Sequence, residues 1–186
     1  MARKKISSWK KKQFFEIVAP KEFEYRKVGE CVANDPDSVI GRTVDVSLWE
    51  MLKNKTKQHM KIIFKIIDIK GGKAQTSFRK FEVNPGYLRS KVKKGASKID
   101  SIVHLELKDD VRVHVKVITI TYKHISSTKE RDIRNKVSEI VESYKNQGVN
   151  DFVQQAVVGK LGSNIYKEVK RISPVRRVEV EEIKAL

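Results

Sequence analysis

The order of apolar and polar residues divides the chain into a strand-rich first part and a helical last third. Thr43-Val44-Asp45-Val46-Ser47-Leu48 alternates with period two, as a half-buried strand does. Met51 to Lys57 follows as a turn or short helix. Met60 to Ile69 is rich in β-branched residues and predicts a second strand. Gly71-Gly72 then signals a hairpin whose returning strand is Ala74 to Val83. In Ile99 to Leu107, Val103, Leu105 and Leu107 share a face. Asp109-Asp110 makes the turn, and the next strand, running to about Tyr122, sets Val111, Val113, Val115 and Val117 on one face against Arg112, His114 and Lys116 on the other.

Beyond residue 125 the period changes to that of a helix. Ser127 with Glu130 forms a capping-box pattern. Ile133, Val137, Ile140, Val141 and Tyr144 follow at helical spacing, and Gly148 reads as the stop. Asn150 is placed to cap a second helix carrying Phe152, Val153, Val157 and Leu161, which Gly159 and Gly162 weaken or break before Ile165 and Val169 resume the stripe. Pro174 ends helix, and Val175 to Ile183 alternates again. Before all of this, Phe14, Phe15, Ile17 and Val18 open the globular part, Pro20 punctuates, and Asn34-Asp35-Pro36-Asp37 is a turn. Strands first and helices afterwards predict an α+β fold: an antiparallel β-sheet or barrel followed by a C-terminal helical part. The expected organisation is an extended basic arm over residues 1–12 and a single domain over 13–186, strand-rich over 13–125, helical over 126–173, with a short closing strand over 174–184.

Composition names the class of partner. The 186 residues hold 40 Lys+Arg against 23 Asp+Glu, a formal charge of +17, and 34% are charged where about 25% is ordinary. Such a surface attracts polyanions. Basic residues fall in an arm (Arg3, Lys4, Lys5, Lys10, Lys11, Lys12), a mid-chain stretch (Arg79, Lys80, then Arg89, Lys91, Lys93, Lys94, Lys98), a helix (Lys129, Arg131, Arg134, Lys136) and a tail (Lys167, Lys170, Arg171, Arg176, Arg177). Membrane binding concentrates charge on one amphipathic helix or one cluster, whereas clusters on strands, loops, helix and tail suit a folded phosphate backbone. Trp9, in the arm, could stack on a base or anchor the arm to the body.

No catalytic pattern competes with the charge. His59, His104, His114 and His124 lack metal-ligand spacing, and Gly71-Gly72 lacks the Lys-Ser/Thr and helix of a phosphate loop. The single cysteine, Cys31, excludes an internal disulfide framework, fits a reducing compartment and reads as a small buried apolar residue. Asp35, Asp37, Asp109 and Asp110 read as turn residues. No basic-then-apolar leader and no long apolar span stands in the chain. The expectation is a binding protein without cofactor, metal or membrane partner.

Five blocks in chain order resemble one family. Trp9-Lys10-Lys11-Lys12 leads through Ala19-Pro20 to Phe23, with Val28-Gly29 and Ala33 before the turn. Gly41-Arg42-Thr43-Val44-Asp45-Val46-Ser47-Leu48-Trp49-Glu50-Met51-Leu52 resembles a Gly-Arg, acidic, Ser-Leu, acidic signature. Tyr87-Leu88-Arg89-Ser90 with Val92-Lys93-Lys94 and Ser97-Lys98-Ile99, then Ile133-Arg134, then Pro174-Val175-Arg176-Arg177-Val178-Glu179-Val180 complete the series. Together they resemble the archaeal-type members of the S-three-Ae family of small-subunit ribosomal proteins. Phe14-Phe15 stands where that family has Trp-Tyr, and the chain stops at Leu186 without the long tail of eukaryotic members, which favours the archaeal type.

The resemblance implies a structural constituent of the small ribosomal subunit, on the platform near the messenger exit and the end of the small-subunit RNA. Implied partners are that RNA, neighbouring small-subunit proteins and messenger RNA near the exit, in the cytoplasm, with no homo-oligomer. A free RNA-binding regulator or assembly protein, and an RNA-modifying enzyme, are the competing readings. The candidate RNA contacts are Arg3, Lys4, Lys5, Lys10, Lys11, Lys12, Arg42, Arg89, Lys91, Lys93, Lys94, Lys98, Arg134, Arg176 and Arg177. Arg42, Arg89, Arg176 and Arg177 rank above single lysines because a guanidinium holds a phosphate with two donors. Arg42 has a second reading, pairing with an acid inside the fold.

Overall fold

In the computed structural model, which describes residues 12–109 and 111–186, the elements are β1 (Gln13–Val18), β2 (Lys27–Ala33), β3 (Thr43–Ser47), α1 (Leu48–Leu52), β4 (Met60–Lys70), β5 (Lys73–Val83), α2 (Pro85–Lys91), β6 (Lys98–Glu106), β7 (Arg112–Thr121), α3 (Ser127–Glu142), α4 (Val149–Val158), α5 (Lys160–Ile172) and β8 (Val175–Ala185). The expected α+β arrangement is present, as an open and mostly antiparallel eight-stranded sheet with the three longest helices late in the chain. The arm through Lys11, with Trp9, lies outside the described residues.

Strand β5 organises the sheet. Gly71 and Gly72, at φ 58° and 78°, supply the left-handed turn that lets β4 fold back on it. β4 covers one edge of β5 along its length. The other edge is shared: β1 lies parallel to Lys73–Gln75, and β8 lies antiparallel to Lys80–Glu82. The sheet therefore forks, with β2–β1 on one branch and β8–β7–β6 on the other, while β3 flanks β4. The fork makes two cores. Phe15, Ile17, Ala33, Val39, Ile66 and Ala74 fill the small one. The large one lies under α3, α4 and α5 and includes Phe64, Phe81, Val115, Ile133, Phe152, Ile165 and Ile183. A bulge serves the fork. Ile63 pairs with Lys80 but Phe64 with Phe78, which leaves Arg79 as the extra residue, and burial passes from Ala74, Thr76 and Phe78 to Phe81 and Val83. One inserted residue exchanges the two faces of a strand.

Several expectations need correction. The closing strand, expected over 174–184, is β8 (Val175–Ala185), eleven residues long, and it lies between β5 and β7. Its alternation is blurred because two register shifts against β7 interrupt it. Leu48 starts α1 instead of ending a strand, since the Ser47 hydroxyl accepts the Trp49 N–H at 3.3 Å. The capping box is not formed: Ser126 is the N-cap of α3, and Glu130 faces Arg134 at 3.5 Å. α3 ends at Glu142, so Gly148 is the N-cap of α4 and Asn150 is inside that helix. The cap comes from elsewhere, because the Asp109 carboxylate in the β6–β7 turn accepts the Val149 N–H at 2.8 Å. A Cβ on residue 148 would meet that carboxylate at 3.2 Å. Cys31 is half-buried, with its Sγ 3.2 Å from an Arg42 guanidinium nitrogen.

Candidate nucleic-acid interface

Helix α2 is short, but its start is well specified. The Asn84 carboxamide oxygen accepts the Gly86 N–H at 2.8 Å and Pro85 occupies the first turn. Tyr87 and Lys91, four residues apart, share a helix face, and the Lys91 ammonium lies 4.6 Å from the Tyr87 ring centroid. The His59 ring stacks on Tyr87 at 3.6 Å and 18°. Arg177, on β8, donates from Nη1 to the Tyr87 hydroxyl at 2.7 Å and lies 5.9 Å from the same ring. Tyr87 thus joins the mid-chain basic stretch to the tail.

The same place receives the end of β7. The Tyr122 N–H donates to the Pro174 carbonyl at 3.2 Å, while its side chain stays 63% exposed. Lys91, Tyr122, Arg176 and Arg177 line a cleft of about 380 Å³. Arg176 and Arg177 also line a neighbouring cleft of about 550 Å³ between β8 and α5, with Ser163, Tyr166, Lys167 and Glu179. The two clefts share Arg176 and Arg177, and together they form the basic groove.

Charge in the groove is positive and poorly compensated. Burial holds the His59 imidazole below its usual pKa, and Arg177 and Lys91 push it lower still. Its Nε2 is buried and has no hydrogen-bond partner among the described residues. Burial raises the carboxyl pKa of Glu179, against the pull of Arg177 and Lys91. Glu179 is the one acid lining either cleft among the described residues, 3.3 Å from Arg177 Nε. Arg176, Arg89, Lys93 and Lys94 make no ion pair among the described residues.

The fifteen candidate contacts do not form one patch. Lys91, Arg176 and Arg177 meet in the groove, with Arg89, Lys93 and Lys94 on α2 and the turn after it. Lys98 lines a pocket with Arg89 but pairs with Asp100 at 3.0 Å. Arg134 is on α3, 3.4 Å from the Asp100 carbonyl and 3.5 Å from Glu130. Arg42 precedes β3 and lines neither cleft. It donates to the Ser38 carbonyl at 2.8 Å, the Val32 carbonyl at 3.4 Å and the Cys31 sulfur. Its partners are carbonyls and a thiol, not the expected acid. Lys12 is half-buried just before β1, and Arg3, Lys4, Lys5, Lys10 and Lys11 lie outside the described residues. Sequence reasoning left out His59, Tyr87, Tyr122, Tyr166 and Lys167 as site residues. The available signal was a tyrosine beside a lysine at Tyr122-Lys123 and Tyr166-Lys167.

Among the described residues no group of three or more His, Cys, Asp or Glu could hold a metal ion. No helix among them is long and apolar enough to cross a membrane. The α+β body thus carries a basic, tyrosine-lined groove, a kind of surface that attracts polyanions. The chain belongs to the ribosomal S3Ae family, whose model matches residues 1–186. It is 35% identical to the small ribosomal subunit protein eS1 of Methanothrix thermoacetophila, over 100% of this chain and 88% of that protein. The protein of the same name from Methanobrevibacter smithii is 32% identical over 100% of this chain and 97% of its own. That from Halorubrum lacusprofundi is 33% identical, with 98% and 86% covered. The archaeal type read from the motifs agrees with these relatives.

Proposed function

We propose that this chain is a structural constituent of the small ribosomal subunit, where it binds small-subunit rRNA and neighbouring ribosomal proteins in the cytoplasm. The observation that carries the proposal is the full-length family match to proteins named for the small ribosomal subunit. The platform near the messenger exit, with messenger RNA passing close by, is the position the family resemblance implies. The physical work is charge neutralisation: basic side chains lower the repulsion of packed phosphates and release their counterions. The RNA contacts proposed are the arm residues Arg3, Lys4, Lys5, Lys10, Lys11 and Lys12, and the body residues Arg89, Lys91, Lys93, Lys94, Lys98, Arg134, Arg176 and Arg177. Arg42 is retained as a weaker candidate, since its guanidinium already has partners in the fold.

Sedimentation of a cell lysate tests this. The protein should co-migrate with small subunits at moderate salt and leave them only at high salt. Recovery of the whole population at the top of the gradient at moderate salt would instead favour a free regulator.

A further inference from the structure

The basic groove has a feature that neutralising a folded RNA surface does not require: aromatic faces among the cations. Tyr122 is 63% exposed at the mouth of the cleft that Lys91, Arg176 and Arg177 line. Tyr166 lines the adjoining cleft beside Lys167. Tyr87, by contrast, has its ring occupied by His59 and Lys91 and its hydroxyl by Arg177, so it braces the wall. Arg176 makes no ion pair among the described residues and alternates outward from buried Val175 at the start of β8. The clefts measure about 380 and 550 Å³, within the roughly 300–1,000 Å³ of pockets that enclose small-molecule ligands.

We propose that this groove is a single-strand site: it holds an unpaired RNA segment, with one base stacked on Tyr122 and the adjoining phosphates on Lys91 and Arg176. The proposal rests on the RNA-binding reading above and deepens it. Stacking needs an exposed base face, which a duplex conceals and a single strand offers. Cation-lined grooves with aromatic platforms bind single strands with little sequence preference, since every base has a π-face. An acidic peptide would match the charge but would leave Tyr122 unused. Glu179, beyond Arg177, keeps the strand's phosphates toward the Lys91 and Arg176 side.

Fluorescence anisotropy of the full chain decides it. The probe is a labelled single-stranded RNA of about ten nucleotides, within the roughly 4–16 that a single-strand groove covers. The competitors are the same RNA as a duplex and an oligoglutamate of equal charge. The single strand should bind more tightly than either competitor. Tyr122→Leu should weaken it about tenfold while leaving duplex binding unchanged, and Tyr122→Phe should restore it. Arg176→Gln should reduce the log–log salt slope by about 0.7–0.9. Tyr122 and Arg176 are exposed, so circular dichroism should show both variants folded. Wild-type preference for the duplex, equal competition by oligoglutamate, or a Tyr122→Leu chain that binds the single strand normally would each overturn the site. Sedimentation of Tyr122→Leu separates the two readings: co-migration with small subunits leaves the ribosomal reading standing whatever the oligonucleotides show.

Discussion

The rim of the groove and the ladder of β5, β8, β7 and β6 are both rich in lysine and arginine, and their electrostatics are opposite. On the ladder, Lys80, Lys116, Lys98 and Arg112 are matched. Glu82 and Glu182 stand directly opposite each other, and Lys80 holds both, at 2.7 and 3.3 Å. Lys116 pairs with Glu181 at 2.9 Å, Lys98 with Asp100 and Arg112 with Glu106. Hydrogen bonding to Glu82 raises the pKa of Lys80, and hydrogen bonding to Glu181 raises that of Lys116. On the rim, Arg89, Lys93, Lys94 and Arg176 make no ion pair among the described residues. The +17 of the chain is thus unevenly available. Free charge marks a binding surface, whereas charge used inside a sheet fixes strand register.

The largest test of this contrast exchanges equal charge at the two places. Replacing Arg89, Lys93 and Lys94 together by Gln should weaken RNA binding roughly a hundredfold near 0.1 M salt if each makes one contact, and should flatten the salt slope by about two. Replacing Lys80, Arg112 and Lys116 by Gln should change affinity little and lower stability instead, because Glu82, Glu182, Glu106 and Glu181 lose their partners. Titration of each variant against the same RNA at two salt concentrations checks the pair. Equal losses of affinity would dissolve the distinction.

Arg42 sharpens the contrast from the other side, as a cation that is exposed yet engaged. Arg42→Ala should cost about 1–2 kcal/mol in denaturant unfolding, since two carbonyls and a thiol lose a charged donor. RNA affinity should stay near that of the parent chain. A large loss of affinity with unchanged stability would return Arg42 to the interface.

How far the sequence shows this division depends on where each partner comes from. The β4–β5 and β6–β7 hairpins were legible because alternation and turn chemistry are local. So was the α+β order. The central place of β8 was not, because its neighbours β5 and β7 are distant in sequence and two register shifts spoil its period. The cap on α4 was missed for the same reason, as Asp109 reaches it from forty residues away. At the interface, Arg176, Arg177 and the mid-chain basic stretch were visible as charge. Their meeting at Tyr87 was not, since the hydrogen bond to Arg177 spans ninety residues. Nor does sequence separate Lys80, which is matched, from Lys93, which is bare.

A smaller effect is expected at Glu179, the acid inside the groove. Burial raises its carboxyl pKa, so the folded state disfavours the charged form. The cost is absent at low pH, where both states hold the proton. It appears as pH rises past the ordinary carboxyl value and is complete above the raised one. Glu179→Gln should therefore leave stability at neutral pH unchanged or slightly higher. It should also free Arg177 and tighten RNA binding a few-fold, consistent with one more charge–phosphate contact. Weaker binding would mean that Glu179 orients Arg177 toward the RNA.

The smallest effect is a change in acid sensitivity that belongs to the groove and not to the ladder. His59 packs on Tyr87 beneath Lys91 and Arg177, and burial with those two charges keeps its folded pKa below the ordinary value. Above that ordinary value the imidazole is neutral in both states and has no linkage effect. As pH falls through it, the unfolded chain takes up the proton first, so stability declines until the lower folded pKa is passed. His59→Gln should flatten this part of the pH–stability curve. Phosphates seated on Lys91 would offset one of the two charges that depress His59, so bound RNA should move its titration upward. An NMR titration of the His59 ring with and without single-stranded RNA reads the shift. No movement on saturation would show that RNA binds away from Tyr87, and the contrast between rim and ladder would then need another explanation than access to phosphate.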